Sequence, residues 1–253
     1  MARLAVENLV KRFGALEALK SVSLSLAAGR SLALIGPTAA GKSVLLKCLA
    51  GLYAPERGRI LVDRALVGVA AERPAELNAR IGVLFQQNAL FDSLPVWENI
   101  AFRLIANGME RDAARSKAEA LLPRVGLPAA NADLFPADLS GGMQKRVGFA
   151  RAIATEPDIL LLDNPTAGLD PILAARIDSM IVDLARESGA CVISVTGNMV
   201  GITNSYDEIA VMHDGVLRWH GEAKAAESGD NAWLRQLLDG SREGPISTLT
   251  SAA

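Results

Sequence analysis

Hydrophobic and polar positions alternate most strictly at Ser21-Val22-Ser23-Leu24-Ser25-Leu26, the period of a half-buried strand. Arg30 to Ile35 is a short apolar run, the pattern of a strand buried on both faces. A glycine-rich turn then leads into a helix-compatible stretch from Lys42 to Leu52, and Arg59–Val62 and Ile81–Phe85 read as further strands. From Asp92 to Asp138 the period becomes helical. Glu98–Asn107 is one helix there and Arg111–Val125 another, with Ala114, Ala118, Leu121, Leu122 and Val125 on one face. Pro123 is expected to bend or end the second. Gly141–Thr155 predicts a helix and Ile159–Asp163 a buried strand. Asp170 reads as an N-cap before Pro171, opening a helix to about Ser188. Cys191–Thr196 is another strand, and Glu208–His213 with Val216–Trp219 predicts a hairpin turning at Asp214-Gly215. Ala232–Asp239 closes the series as a short helix, and the Ser/Thr/Ala tail from Ser247 is expected to be disordered.

Strands alternating with helices predict an α/β fold whose mainly parallel sheet is covered on both faces. The helices of 92–138 form an inserted subdomain. Composition narrows the partners: 26 Lys+Arg against 28 Asp+Glu leave a net charge of -2, without the basic excess of an electrostatic nucleic-acid binder. Two cysteines, Cys48 and Cys191, are too few for a disulfide framework and lack C-x-x-C spacing. The opening residues carry no basic stretch followed by an apolar one, and no apolar run approaches ~18 residues, so a soluble intracellular protein is expected.

The densest chemistry lies at Gly36-Pro37-Thr38-Ala39-Ala40-Gly41-Lys42-Ser43, which fits G-x-x-x-x-G-K-[ST] between a buried strand and a helix. Glycines let backbone amides curl around a phosphate, and the helix aims its positive end at it. Lys42 then reaches the terminal phosphates of a nucleotide, and the Ser43 hydroxyl coordinates Mg²⁺. The loop alone does not choose among kinases, GTPases and transport motors.

The octet Leu139-Ser140-Gly141-Gly142-Met143-Gln144-Lys145-Arg146 makes the choice, because its pentad resembles the LSGGQ signature of ABC-type ATPases, with Met143 at the last position. In that family the signature of one subunit meets the γ-phosphate held by the other, so Ser140, Gly141 and Gly142 become ATP contacts. By the same resemblance Phe13 stacks on adenine, although a strand-end core residue is the plain alternative. Gln86 resembles the glutamine that touches Mg²⁺ and faces the membrane subunit, and Ile159–Asp163 resembles Walker B, bringing Asp163 to the metal. Ala167-Gly168-Leu169-Asp170 resembles the D-loop, Asp170 serving as helix cap and intersubunit contact. The resemblance runs from about Ala5 to Gly221. It implies a RecA-like ATP-binding core with an antiparallel β part over 1–91 and 139–222, a helical subdomain over 92–138 and a C-terminal extension over 223–253.

Two positions depart from the family pattern. The glutamate that polarises the attacking water is replaced by Asn164, and the switch histidine by Gly197 in Val195-Thr196-Gly197-Asn198. A carboxamide can bond a water but cannot take its proton. His213 and His220 lie in the closing hairpin and read as ordinary surface or edge residues. The expectation is ATP–Mg²⁺ binding with slow or absent hydrolysis at this chain's own site. The near-consensus signature leaves open a heterodimer with a competent partner, a slow homodimer, or a regulatory nucleotide-binding subunit.

Leu84–Leu94 with Val96, Glu98 and Asn99 resembles the F-Q-x-x-A-L-F-D-S-L-x-V-x-E-N pattern of ATPases serving MCE-domain lipid transporters, the Mla-type phospholipid systems. Met143, Thr166–Pro171, Leu237–Gly240 and Gly244-Pro245 fit that group. It implies a dimer on the cytoplasmic face of the inner or plasma membrane, an integral membrane permease, an MCE-type substrate-binding protein, and phospholipid or another hydrophobic cargo. A small regulatory protein belongs to some such systems. Trp233, Leu237 and Leu238 offer either a docking face for a neighbouring subunit or a cap on the chain's own core. A soluble, non-transport ABC protein stays open as an alternative, disfavoured by the short insertion and the balanced charge.

Overall fold

The computed structural model describes residues 2–68, 75–85, 90–199, 201–228 and 231–246. Two sheets form the frame. A four-stranded antiparallel sheet has the order β2-β1-β4-β5, from β1 (Ala2–Phe13), β2 (Leu16–Ala27), β4 (Arg57–Val62) and β5 (Ala65–Leu66). A six-stranded sheet has the order β10-β9-β3-β8-β7-β6, from β3 (Ser31–Ile35), β6 (Ile81–Leu84), β7 (Ile159–Asp163), β8 (Cys191–Val195), β9 (Glu208–His213) and β10 (Val216–Glu222). All its pairings are parallel except the closing β9–β10 hairpin. The hairpin turns at Asp214 and Gly215, both at positive φ (49° and 73°), the backbone that an Asp-Gly pair accepts most readily.

The parallel strands read as unbroken apolar runs because each face has its own cover. Leu32, Leu34, Ile159, Leu161, Cys191 and Ile193 pack with the antiparallel sheet and with α1 (Lys42–Leu49). Ala33, Ile35, Leu160, Leu162 and Val192 pack on the helical side, with Phe149 of α5 (Gly141–Ile153) and Ile177 and Ile181 of α6 (Pro171–Ser188). Helices α3 (Val96–Ala106) and α4 (Arg111–Arg124) make up the inserted pair, and α4 ends just past Pro123 as expected. Ala114, Ala118, Leu121, Leu122 and Val125 are all buried. Asn99 is fully buried and ties the 91–95 loop to α3, its Nδ2 donating to the carbonyls of Phe91 and Leu94 and its Oδ1 accepting from the Phe91 amide. Short helices α2 (Ala75–Ala79) and α7 (Ile202–Ser205) and the C-terminal α8 (Ala232–Asp239) complete the set.

Several expectations are corrected. The helix after the glycine-rich turn ends at Leu49, not Leu52, because Gly51 takes φ 78° and Leu52 turns out to solvent. The helix after the signature ends at Ile153. His220 lies on the edge strand β10, as expected, with its Nε2 2.7 Å from Glu208 Oε2, whereas His213 ends the inner strand β9 with its ring 4.7 Å from that of Trp233. Trp233, Leu237 and Leu238 pack against the chain's own core, in agreement with the second of the two roles expected for them. The expected disorder from Ser247 lies outside the described residues.

Candidate nucleotide site

Strand order assembles the site. In the sequence β7 precedes β8, but in the sheet β8 lies between β3 and β7, with Leu34 and Asp163 both paired to Val195. The carboxyl ends of the three strands therefore present residues 36–43, 196–198 and 163–164 side by side, the crevice where open α/β sheets take ligands. The amide of Thr196 donates to the Leu34 carbonyl (3.3 Å) and that of Asn164 to the Val195 carbonyl (2.9 Å), tying the three loops together.

Residues 36–43 form a compact loop in which positions 36 and 41 have no room for a side chain. Gly36 has φ 147°, and a Cβ there would stand 2.0 Å from the Met212 carbonyl oxygen; at Gly41, φ 97°, it would stand 2.6 Å from that of Ala18. The hairpin tip clasps this loop, the Gly215 amide donating to the Ala40 carbonyl at 3.1 Å. Gly41 caps α1 without a side chain, so the first-turn amides have no side-chain acceptor and suit an anion. Lys42 Nζ bridges the loop, donating to the carbonyls of Gly36 (2.8 Å) and Pro37 (2.7 Å). Burial lowers its pKa, and the charge of Asp163 opposes that shift.

A cleft of about 360 Å³ lies over the loop, lined by Phe13, Ala39, Lys42, Ser43 and Gly215 among others. Phe13 is 43% exposed and so free to stack, while Tyr53 supports it edge-on at 5.2 Å and Lys11 Nζ stands 5.1 Å from its ring. Tyr53 lies in the loop after α1, forty residues from Phe13, so nothing in the local spacing announces the pair. Ser43 and Asp163 supply the hydroxyl and carboxylate oxygens that a small hard cation prefers.

A second concavity of about 500 Å³ is lined by Asn164, Leu169, Asp178, Thr196, Gly197 and Asn198 among others. Asn164 adopts φ 53°, a left-handed conformation that asparagine tolerates, and its Nδ2 donates to Asp163 Oδ1 at 3.1 Å. A Cβ at Gly197 would meet nothing within 4 Å. Asn164 and Gly197 therefore share one concavity, to which neither brings a carboxylate or an imidazole. Gln86 lies outside the described residues.

Ser140 caps α5 by accepting the Met143 amide at 3.3 Å, and Gly141 faces open space. Lys145 Nζ donates to the Ala167 carbonyl, fastening the signature helix to the 167–170 loop, and Asp170 Oδ1 caps α6 by accepting the Leu173 amide at 2.9 Å. Neither Ser140, Gly141 nor Gly142 lines the cleft over the phosphate loop.

Comparison with known proteins agrees with this geometry. The family model described as ABC transporter matches residues 19–167. A Mycobacterium leprae protein, described as a probable ribonucleotide transport ATP-binding protein, is 36% identical over 95% of this chain and 70% of its own length. The Pseudomonas aeruginosa arginine/ornithine transport ATP-binding protein is 34% identical over 95% of this chain and 99% of its own. Protein TRIGALACTOSYLDIACYLGLYCEROL 3 of Arabidopsis thaliana, a chloroplast protein, is 34% identical over 94% of this chain and 74% of its own. Among solved structures, the dimeric cassette MJ0796 bound to ADP and phosphate superposes with a TM-score of 0.80 at 28% identity, over 87% of this chain and 98% of that one. Such cassettes bind ATP, dimerise and work with membrane permease components. No helix among the described residues is long and apolar enough to cross a membrane. This chain belongs to the ABC transporter family, as an ATP-binding subunit.

Proposed function

We propose that the chain binds ATP–Mg²⁺ to drive lipid transport through a membrane permease, and that its own site hydrolyses ATP slowly. Phe13 stacks on the base, residues 36–43 wrap the phosphates, and Lys42 neutralises their terminal charge. Ser43 and Asp163, with Gln86, hold Mg²⁺, which when bound draws charge from the phosphate oxygens. In a homodimer, Ser140, Gly141, Gly142 and Asp170 of one copy close the site of the other. The observation that carries the hydrolytic reading is the pairing of an intact phosphate loop with Asn164 and Gly197 at the neighbouring strand ends. Without a positioned base a rate falls by ~10²–10⁴.

The lipid reading is supported by the 84–99 pattern and by the Arabidopsis relative, whose name is that of a galactolipid. The relatives named for ribonucleotide and arginine/ornithine transport set the competing cargoes. A peripheral position on the cytoplasmic face of the membrane, with an MCE-type substrate-binding protein and a small regulatory protein in the assembly, follows from the same reading. The test is purification with the permease, identification of extracted lipids, and steady-state ATPase measurement. Bound phospholipid and slow turnover are expected. Stimulation by a ribonucleotide or by arginine alone would overturn the cargo, and family-typical turnover from a homodimer would overturn the slow site.

A second reading, a degenerate subunit serving a competent partner, is favoured by the exposed and complete start of α5. Native mass spectrometry showing two different ATPase chains in one complex selects it.

A further inference from the structure

The helix that begins at the phosphate loop ends beside the ring assigned to the base. After α1 the chain turns at Gly51, and the amides of Leu52 and Tyr53 both donate to the Lys47 carbonyl, at 2.8 and 3.3 Å. Tyr53 is thereby fixed to α1, and its ring packs on the core that α1 shares with the antiparallel sheet. There it meets Phe13, the last residue of β1, with ring centres 5.2 Å apart and planes at 74°. That separation and angle are those of a favourable edge-to-face pair. Phe13 still keeps 43% of its surface exposed and lines the cleft over residues 36–43, which Tyr53 does not.

A second set of contacts holds the two segments together without the rings. Lys11 Nζ donates to the Ala54 carbonyl and to Glu56 Oε1, both at 2.8 Å. Glu56 Oε2 accepts the Arg12 amide at 2.7 Å, and the Glu56 amide donates to the Val10 carbonyl at 2.9 Å. Residues 54–56 are therefore laced to the end of β1 whatever side chain stands at 53. What the Tyr53 ring adds is an orientation for Phe13, which as an exposed side chain at a strand end would otherwise sample several rotamers. A ring held in place before the base arrives avoids the cost of ordering it on binding.

We infer that Tyr53 is a positioning residue for nucleotide binding: anchored to the phosphate-loop helix, it holds the Phe13 ring at the angle at which the base stacks while residues 36–43 hold the phosphates. This rests on the reading of Phe13 and residues 36–43 as the base and phosphate contacts. Tyr53 touches neither group, so its effect passes through Phe13.

The test is titration calorimetry of the full chain with AMP-PNP and with inorganic tripolyphosphate, which lacks the base, both with Mg²⁺. Tyr53→Leu and Tyr53→Met each keep an apolar side chain but remove the ring edge. They should weaken AMP-PNP binding roughly three- to tenfold, the worth of an aromatic pair, with tripolyphosphate affinity held within about twofold. Tyr53→Phe, which keeps the edge, should bind both ligands as wild type does. In a Phe13→Ala chain, adding Tyr53→Leu should change AMP-PNP affinity by less than about twofold, because the ring it orients is gone. Equal losses for both ligands, an unchanged AMP-PNP affinity without the ring, or independent losses from the two substitutions overturn the inference. The underlying reading fails differently: Phe13→Ala alone without effect on AMP-PNP refutes the base contact, and a wild type that binds neither ligand refutes the phosphate site.

Discussion

Replacing Asn164 by Glu and Gly197 by His should turn a slow site into a working one. The structure gives room for both. No heavy atom lies within 4 Å of a Cβ at Gly197, and its φ is outside the left-handed region, so a side chain can leave the backbone there without a clash at its first atom. Position 164 is tighter: its φ of 53° suits asparagine, and a glutamate there costs about 1–2 kcal/mol of local strain, a loss that a fold stable by roughly 5–15 kcal/mol survives. The bond from Asn164 Nδ2 to Asp163 Oδ1 is replaced by a second carboxylate beside the first. Like-charge proximity raises the proton affinity of one of them, which suits a general base. A restored base is worth ~10²–10⁴ in rate, or about 3–5 kcal/mol of barrier. A histidine contact to phosphate adds about 1.5–3 kcal/mol if formed only as charge develops. Phosphate release at saturating Mg²⁺-ATP, beside AMP-PNP affinity, reads the effect. An acceleration of less than about tenfold in a double variant that binds nucleotide normally would refute the assignment of these positions.

Gly36→Ala should weaken ATP binding by roughly 10–100-fold, since its methyl would meet the Met212 carbonyl and strain of about 1–3 kcal/mol would distort the loop; fluorescent-nucleotide titration measures it. Phe13→Ala should lower affinity for adenine nucleotides by about 1–3 kcal/mol while leaving inorganic triphosphate unaffected, a contrast visible by competition binding. The Asp158 carboxyl is pushed up by burial, but hydrogen bonds from Arg80 and Arg3 outweigh that and hold it below 3.8. Its stabilising contribution is therefore present above its unfolded value and lost as pH falls through the depressed one. Melting curves of wild type and Asp158→Asn should differ at neutral pH and converge below pH 3.8.

Legibility followed local regularity. β3, β7 and β8 were readable because burial on both faces leaves unbroken apolar runs. β1 escaped notice although Leu4, Val6 and Leu9 are fully inside. Asn8, at φ 50°, shifts the register between Val6 and Leu9, so inward positions change parity and no simple alternation survives. Ser21, at φ 58°, does the same in β2, which is why only its second half showed the pattern. Asp178 gave no signal of its own, because a polar residue at an inward helical position looks the same whether or not the fold supplies partners. Tyr53 likewise gained meaning only beside Phe13.

The sequence alone carried the local features: a glycine-rich loop between strand and helix, a helix start capped by Ser140, and Asn164 and Gly197 where the family resemblance expects a glutamate and a histidine. Those are short-range facts, written in residue types and spacing. Tertiary structure decided which of them meet. Placing β8 between β3 and β7 joins residues more than a hundred positions apart, and parallel pairing leaves no local period that records its partner. The same packing brings Asp178 and Tyr206 to Asn198, a contact that exists only because a helix and two loops share one buried wall.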